Sequence, residues 1–253
     1  MMAFALLCLL AVPFQLLLIT FYKGRYAYIL PHLWHKGVCA IFRIRVQKTG
    51  KIYTNSQVLY MSNHLSYLDI PAIASVLCFG SFVAKKDVAS WPVFGFLSTL
   101  QQTAFISRSR GDAKKEASAL DTMLENGKNL IIFPEGTSTD GQSVLDFKSS
   151  LFAIALREDL ADIMIQPVTV KLLSVNGHPP ETQEDRDLYA WHRDMDGSIE
   201  LHHHLWSFAK SSGAALSITF HETIPAKNFP DRKTLAKACH EAVSNGLQFS
   251  KAA

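Results

Sequence analysis

The first acidic residue of this 253-residue chain is Asp69. From Met1 to Leu68 there is neither Asp nor Glu, while Lys23, Arg25, Lys36, Arg43, Arg45, Lys48 and Lys51 put +7 on that front stretch. The rest carries 18 basic against 22 acidic residues, a net −4. A basic, apolar front on a mildly acidic body suits attraction to an anionic membrane surface. The setting of those charges argues against nucleic acid, since they follow an apolar run with no nucleic-acid-binding motif beside them. Cysteine is scarce and scattered: Cys8, Cys39, Cys78 and Cys239 contain no CxxC pair and read as reduced thiols in a cytosol-facing protein. There is no GxSxG elbow and no cysteine near His64, so a hydrolytic nucleophile lacks its surroundings. No internal repeat or low-complexity tract is present.

What is there is apolar. Hydrophobic residues make up 48% and charged residues 19% of the chain, enough to bury a core in one full-sized domain. Ala3 to Tyr22 (AFALLCLLAVPFQLLLITFY) carries no charge, and only Gln15 is plainly polar. About 20 such residues cross a hydrocarbon core. A cleavable signal peptide is the poorer reading, because no basic segment precedes the run and no A-x-A site follows it. Lys23 and Arg25 after the run place the remainder in the cytoplasm by the positive-inside rule. Pro13 leaves open a re-entrant hairpin. Tyr26 to Phe42 mixes aromatics with His32, His35 and Lys36 and suits a helix lying at the interface. The expected division is therefore a membrane anchor and interfacial helix over 1–50 and a second domain over 51–253.

After Gly50 short strands alternate with helices. Val58 to Met61, Thr103 to Ile106, Asn129 to Phe133, Ile163 to Leu173 and Leu216 to Phe220 read as strands. Asp69 to Leu77, Asp112 to Asn126, Ser149 to Arg157 and Lys233 to Leu247 read as helices. Asn176 to Gly197, rich in Pro, Asp and Glu, reads as an irregular excursion. The alternation predicts an α/β fold, a largely parallel sheet flanked by helices, behind an N-terminal membrane-anchoring helical segment.

Three polar sites stand at strand ends. In Ser62-Asn63-His64-Leu65-Ser66-Tyr67-Leu68-Asp69 the His and Asp are five residues apart, about 140° around a helix, so they do not share a helical face. They meet if His64 sits in the loop and Asp69 turns back from the helix start. A carboxylate on one imidazole nitrogen fixes the tautomer and leaves the other free to accept a proton. Taken alone, Asp69 as a helix cap beside an incidental His remains the alternative. Glu135 and Gly136 lie at the sharp end of another strand, and Arg108 follows a third, as sites in α/β folds do.

With those residues in view the chain resembles the glycerophospholipid acyltransferase family. The lysophosphatidate acyltransferases of that family carry NHxxxxD, F-I-x-R, FPEGTRS and a late V-x-P block. Here the blocks read NHLSYLD (Asn63 to Asp69), FISR (Phe105 to Arg108), FPEGTST (Phe133 to Thr139) and IQPVTV (Ile165 to Val170), in the family order and across the middle half of the chain. The resemblance implies direct transfer of an acyl group from acyl-CoA or acyl carrier protein to the hydroxyl of a membrane lysolipid. His64 is implied as the base and Asp69 as its orienting partner. Asn63, Arg108, Glu135, Gly136, Thr137 and Ser138 are implied around the acceptor, with no metal and no cofactor beyond the thioester co-substrate. The acceptor implied first is 1-acyl-sn-glycerol-3-phosphate. Ser138 departs from the pattern, standing where the family has Arg, and with FKSSLF (through Phe152) and YAWHRDMD (from Tyr189) it resembles the branch acting on lyso-ornithine lipids. A catalytically silent lipid-binding protein would be expected to lose His64, Asp69 or Glu135, and all three are present. His202, His203 and His204 point about 100° apart on a helix and read as a polar or interfacial patch rather than a metal site.

Overall fold

The computed structural model describes residues 1–22, 24–106, 120–158, 163–192 and 200–249. Helix α1 (Met2–Phe21) and helix α2 (Ile29–Ile41) form an antiparallel pair ahead of strand β1 (Ile44–Thr49). Then follow β2 (Val58–Ser62), α3 (Asp69–Val76), β3 (Ser81–Lys85), α4 (Phe94–Leu100), β4 (Ala104–Ile106), β5 (Leu130–Ile132) and β6 (Met164–Val175). The chain closes with α5 (Gln183–Tyr189), α6 (Leu201–Lys210), β7 (Ala214–Phe220), β8 (Ile224–Pro225) and α7 (Arg232–Phe249).

The strands form one sheet in the order β1-β7-β6-β2-β5-β3-β4, with β8 on the early part of β6. Pairings from β6 through β4 are parallel, β1 also runs parallel to β7, and β7 and β8 lie antiparallel to β6. β2 is central, and all five of its residues are buried, as a strand covered on both faces should be. Its alternate side chains feed two cores. Val58 and Tyr60 join α2, α3 and α6 on one face, and Leu59 and Met61 join α7 on the other. The parallel order brings the carboxyl ends of β2 and β5 side by side, which is where the two motif-bearing turns emerge.

The expected α/β class holds, with three local corrections. β1 lies on the anchor side of the expected boundary at residue 50, yet it pairs with β7 along its whole length, so the front segment contributes a strand to the sheet. The stretch expected to be irregular contains α5, started by a capping box in which Thr182 and Asp185 bond reciprocally. Asp replaces the usual Glu or Gln of that signature, which hid it. Ser149–Leu156 is a run of 3₁₀ turns. Of the helix expected over Asp112 to Asn126, residues 120–125 are helical and residues 112–119 lie outside the described residues.

α1 is a continuous helix through Pro13. One face packs on α2, where a Cβ at Gly37 would approach Leu7 Cδ2 at 2.9 Å, so glycine permits the close crossing. Phe4 packs edge-on against Trp34 and Phe42. The outer face leaves Leu9, Phe14, Leu17 and Phe21 exposed, as are Val93 and Phe96 at the start of α4. An apolar surface of this extent fits a bilayer. The full chain is expected to stay with membranes through a wash at about 1 M salt, where the Debye length is about 3 Å and charge attraction is screened. Recovery of the intact chain in the washed soluble fraction would refute this attachment.

Candidate active site

Local geometry explains why His64 and Asp69 meet. β2 ends at Ser62, and the next residues turn before α3 begins at Asp69 itself. The wholly buried Asp69 carboxylate folds back over that turn. Its Oδ2 accepts the Leu65 N–H at 2.6 Å and the Ser66 N–H at 2.9 Å. The same oxygen accepts from His64 Nδ1 at 2.8 Å. Its Oδ1 accepts the Tyr189 hydroxyl at 3.0 Å. A carboxylate is acceptor-only, so Nδ1 carries the proton and Nε2 keeps its lone pair. The imidazole is one-fifth exposed and stacks on Phe133, with ring centroids 4.0 Å apart. The assembly is a histidine base held in one tautomer, with its accepting nitrogen on the side away from the buried carboxylate.

The third motif grips the backbone of His64. Glu135 is buried, and its Oε1 accepts the His64 N–H at 2.8 Å while Oε2 accepts the Leu145 N–H at 2.8 Å. The Thr139 N–H donates to the His64 carbonyl at 2.9 Å. His64 is thus held from both sides by the segment after β5. Burial pushes the Glu135 carboxyl up to about 7, against the pull of its two N–H donors and with the Asp69 charge adding to the rise. Gly136 takes φ 72°, and a side chain there would collide with that of Lys148, so the turn requires glycine. Thr137 is half-buried. The Ser138 hydroxyl donates to the Trp191 carbonyl at 2.6 Å.

Asn63 is buried, and both ends of its amide bond one residue of β6: Nδ2 donates to Val170 O at 2.8 Å and Oδ1 accepts the Val170 N–H at 2.7 Å. It fastens the start of the His64–Asp69 turn to the neighbouring strand. Arg108 lies outside the described residues. The structure therefore brings His64, Asp69, Glu135 and the turn from Gly136 to Ser138 together at the carboxyl edge of β2 and β5, with Asn63 beneath them.

Sequence reasoning missed two contributors. Tyr189, at the end of α5, is wholly buried, and burial beside Asp69 pushes its phenol well above the ordinary value, so it remains a donor to the carboxylate. No local spacing reveals a partner 120 residues away. His204 is the other. The sequence pattern puts it in a polar or interfacial patch with its neighbours, but it is buried: Nδ1 accepts from the Tyr67 hydroxyl at 2.8 Å and Nε2 faces the Asp187 and Ala190 carbonyls at 3.0 and 3.1 Å. It braces Tyr67, inside the His64–Asp69 turn, against α5. His202 and His203 are exposed, beside Glu200. Tyr189→Phe keeps the packing and removes one hydrogen bond to Asp69, about 1 kcal/mol. Turnover is expected to fall roughly fivefold to tenfold. An unchanged steady-state rate would mean that the Leu65 and Ser66 N–H groups hold Asp69 unaided.

A family model described as Acyltransferase matches residues 43–171. The chain is 33% identical over 251 residues to a lyso-ornithine lipid O-acyltransferase of Brucella abortus (strain 2308), covering 97% of this chain and 91% of that one. It is 39% identical over 188 residues to the Rhodobacter capsulatus protein of the same name, covering 74% of this chain and 64% of that one. A 1-acyl-sn-glycerol-3-phosphate acyltransferase of Neisseria gonorrhoeae is 40% identical over 100 residues, 39% of each chain. Among solved structures, the 1-acyl-sn-glycerophosphate acyltransferase of Thermotoga maritima aligns with a TM-score of 0.63 over the whole of this chain and 95% of its own, at 21% identity. That likeness is one of fold.

Proposed function

The chain belongs to the acyltransferase family, and from that premise we propose that it moves a fatty acyl group from a thioester donor to the hydroxyl of a lyso-ornithine lipid. The chemistry is carried by the His64–Asp69 pair, whose geometry leaves Nε2 ready to accept a proton. His64 Nε2 takes the proton of the acceptor hydroxyl as its oxygen attacks the thioester carbonyl. The tetrahedral adduct collapses by breaking the C–S bond. The departing thiolate takes the proton back from His64, giving the acylated lipid and a free thiol. No cofactor or metal enters this scheme, and no covalent acyl-enzyme forms. The donor is acyl-CoA or acyl carrier protein, and the site faces the cytoplasm, where both are made. We assign Arg108 to the acceptor's head group on the family resemblance alone.

The acceptor reading rests on similarity along nearly the whole chain to the Brucella abortus protein and on Ser138. A guanidinium grips a phosphate monoester with two charge-assisted bonds, whereas the Ser138 hydroxyl is donated to a backbone carbonyl. A second reading, 1-acyl-sn-glycerol-3-phosphate as acceptor, is favoured by the shorter stretch shared with the Neisseria gonorrhoeae protein. The test is purified full chain, labelled acyl thioester and a panel of lysolipids, with products identified by mass. Acylated ornithine lipid is the expected product. Phosphatidic acid in its place would support the second reading, and release of free fatty acid alone would overturn both.

A further inference from the structure

The residues that leave α5 touch both turns of the site. Tyr189 and Ala190 are wholly buried, and Ala190 carries the chain on in extended backbone, with φ −72° and ψ 137°. The Tyr189 hydroxyl donates to Asp69 Oδ1 at 3.0 Å, and the Trp191 N–H donates to the Leu65 carbonyl at 3.0 Å. The Trp191 indole stands edge-on to the Tyr67 ring, with centroids 5.9 Å apart. Those three contacts fall on the His64–Asp69 turn. A fourth falls on the turn after β5, where Ser138 Oγ donates to the Trp191 carbonyl at 2.6 Å.

These bonds close a ring. The Thr139 N–H reaches the His64 carbonyl at 2.9 Å, Ser138 next to it reaches the Trp191 carbonyl, and the Trp191 N–H returns to Leu65, the residue after His64. Two of the three links run from backbone to backbone, and a backbone N–H is present in every residue but proline. The Ser138 hydroxyl is the link that depends on which side chain stands at its position. Glu135 and Thr139 on either side already tie this segment to the His64 backbone, so Ser138 is held in one frame with His64.

A serine hydroxyl has a single hydrogen, and here a backbone carbonyl takes it. An anionic head group would need a donor, and Ser138 has none left to offer. We propose that Ser138 is a positioning residue for the His64–Asp69 pair and not a ligand of the acceptor. By holding the Trp191 carbonyl it keeps the Trp191 N–H on Leu65 and the Tyr189 hydroxyl on Asp69. The inference rests on the proposed function for the part of that pair in acyl transfer, and not on which lysolipid is acylated.

The test compares the natural full chain with Ser138→Ala and Ser138→Thr in detergent, by hydrogen exchange and by steady-state acyl transfer. Ser138→Ala is expected to raise amide exchange about fivefold to tenfold in residues 65–69 and 189–191, the worth of one hydrogen bond, and to leave β6 and β7 unchanged. In turnover kcat should fall about as much while the acceptor KM holds, whichever lysolipid is used. Ser138→Thr keeps the hydroxyl and should keep both readouts near their natural values. Combined with Tyr189→Phe, Ser138→Ala should cost less than the two losses multiplied, because both act on the seat of Asp69. Losses that multiply in full, a raised acceptor KM at unchanged kcat, or unchanged exchange in Ser138→Ala would each overturn the proposal. Raised exchange in both segments, with no lysolipid acylated by the natural protein, would count against the proposed function and leave the hold of Ser138 on the turn standing.

Discussion

His64→Ala is expected to lower turnover on the order of a hundredfold to ten-thousandfold while the protein keeps its fold, because the group removed is the proposed general base. The side chain is part-exposed and stacks on Phe133, so its loss opens little of the core. What holds the turn together, the Asp69 carboxylate with the Leu65 and Ser66 N–H groups and the backbone grip by Glu135 and Thr139, involves no atom of the imidazole. Asp69→Asn is the companion variant. An amide can present its NH₂ to Nδ1 and so favour the wrong tautomer, but it also replaces an acceptor of several bonds and should cost stability as well. The measurement is single-turnover acyl transfer beside thermal unfolding in the same detergent. Near-normal turnover in folded His64→Ala protein would sink the proposed mechanism.

Replacing Glu135 is expected to act on stability first and on catalysis through it. Glu135→Ala strips the acceptor from two backbone N–H groups, those of His64 and Leu145. Orphaned buried donors cost about 1–3 kcal/mol each, so a loss on the order of 2–6 kcal/mol is expected. Glu135→Gln keeps one carbonyl oxygen and should lose about half as much. The same pair of proteins carries a pH signature. The folded carboxyl is raised from the ordinary 4.5 to about 7, chiefly by burial. Between those values the folded chain holds a proton that the unfolded chain has released, so stability falls as pH rises through the window and is level above it. The fall is on the order of 3 kcal/mol. Glu135→Gln cannot titrate, so the gap between variant and natural protein should shift in the variant's favour from pH 4.5 to pH 8. Denaturant midpoints across that range measure it, and parallel curves for the two proteins would show that Glu135 does not titrate there.

Much of the molecule was legible from local pattern. The buried strand β2, helix α3 and the turn between them follow from an apolar run, a polar turn and a first-turn proline, all set by neighbours in sequence. The long apolar helix α1 was legible because an uncharged run of that length stands out in composition alone. His64, Asp69 and Glu135 were legible as candidates because each sits at a strand end, and strand ends are visible in hydrophobic pattern. The split of Val58 and Tyr60 from Leu59 and Met61 into two cores also follows directly from the two-residue period of a strand.

What those residues do to one another depends on packing between distant parts of the chain. Sequence spacing could not show that Glu135 turns inward to hold the His64 backbone, since that contact spans 71 residues and depends on β2 and β5 lying side by side in parallel. Nor could it show Tyr189 on Asp69, Asn63 on Val170, or His204 withdrawn from its exposed neighbours to brace Tyr67. The same holds for Gln15, which sequence marks as a polar interruption of an apolar helix and the structure places on the Ala27 and Leu100 carbonyls. The fold class, the apolar front and the chemical groups at the strand ends could be read from local pattern, because periodicity and composition act over one or two turns of chain. The packing of distant strands and helices determined which donor meets which acceptor, because buried polar groups must find partners wherever the fold brings them.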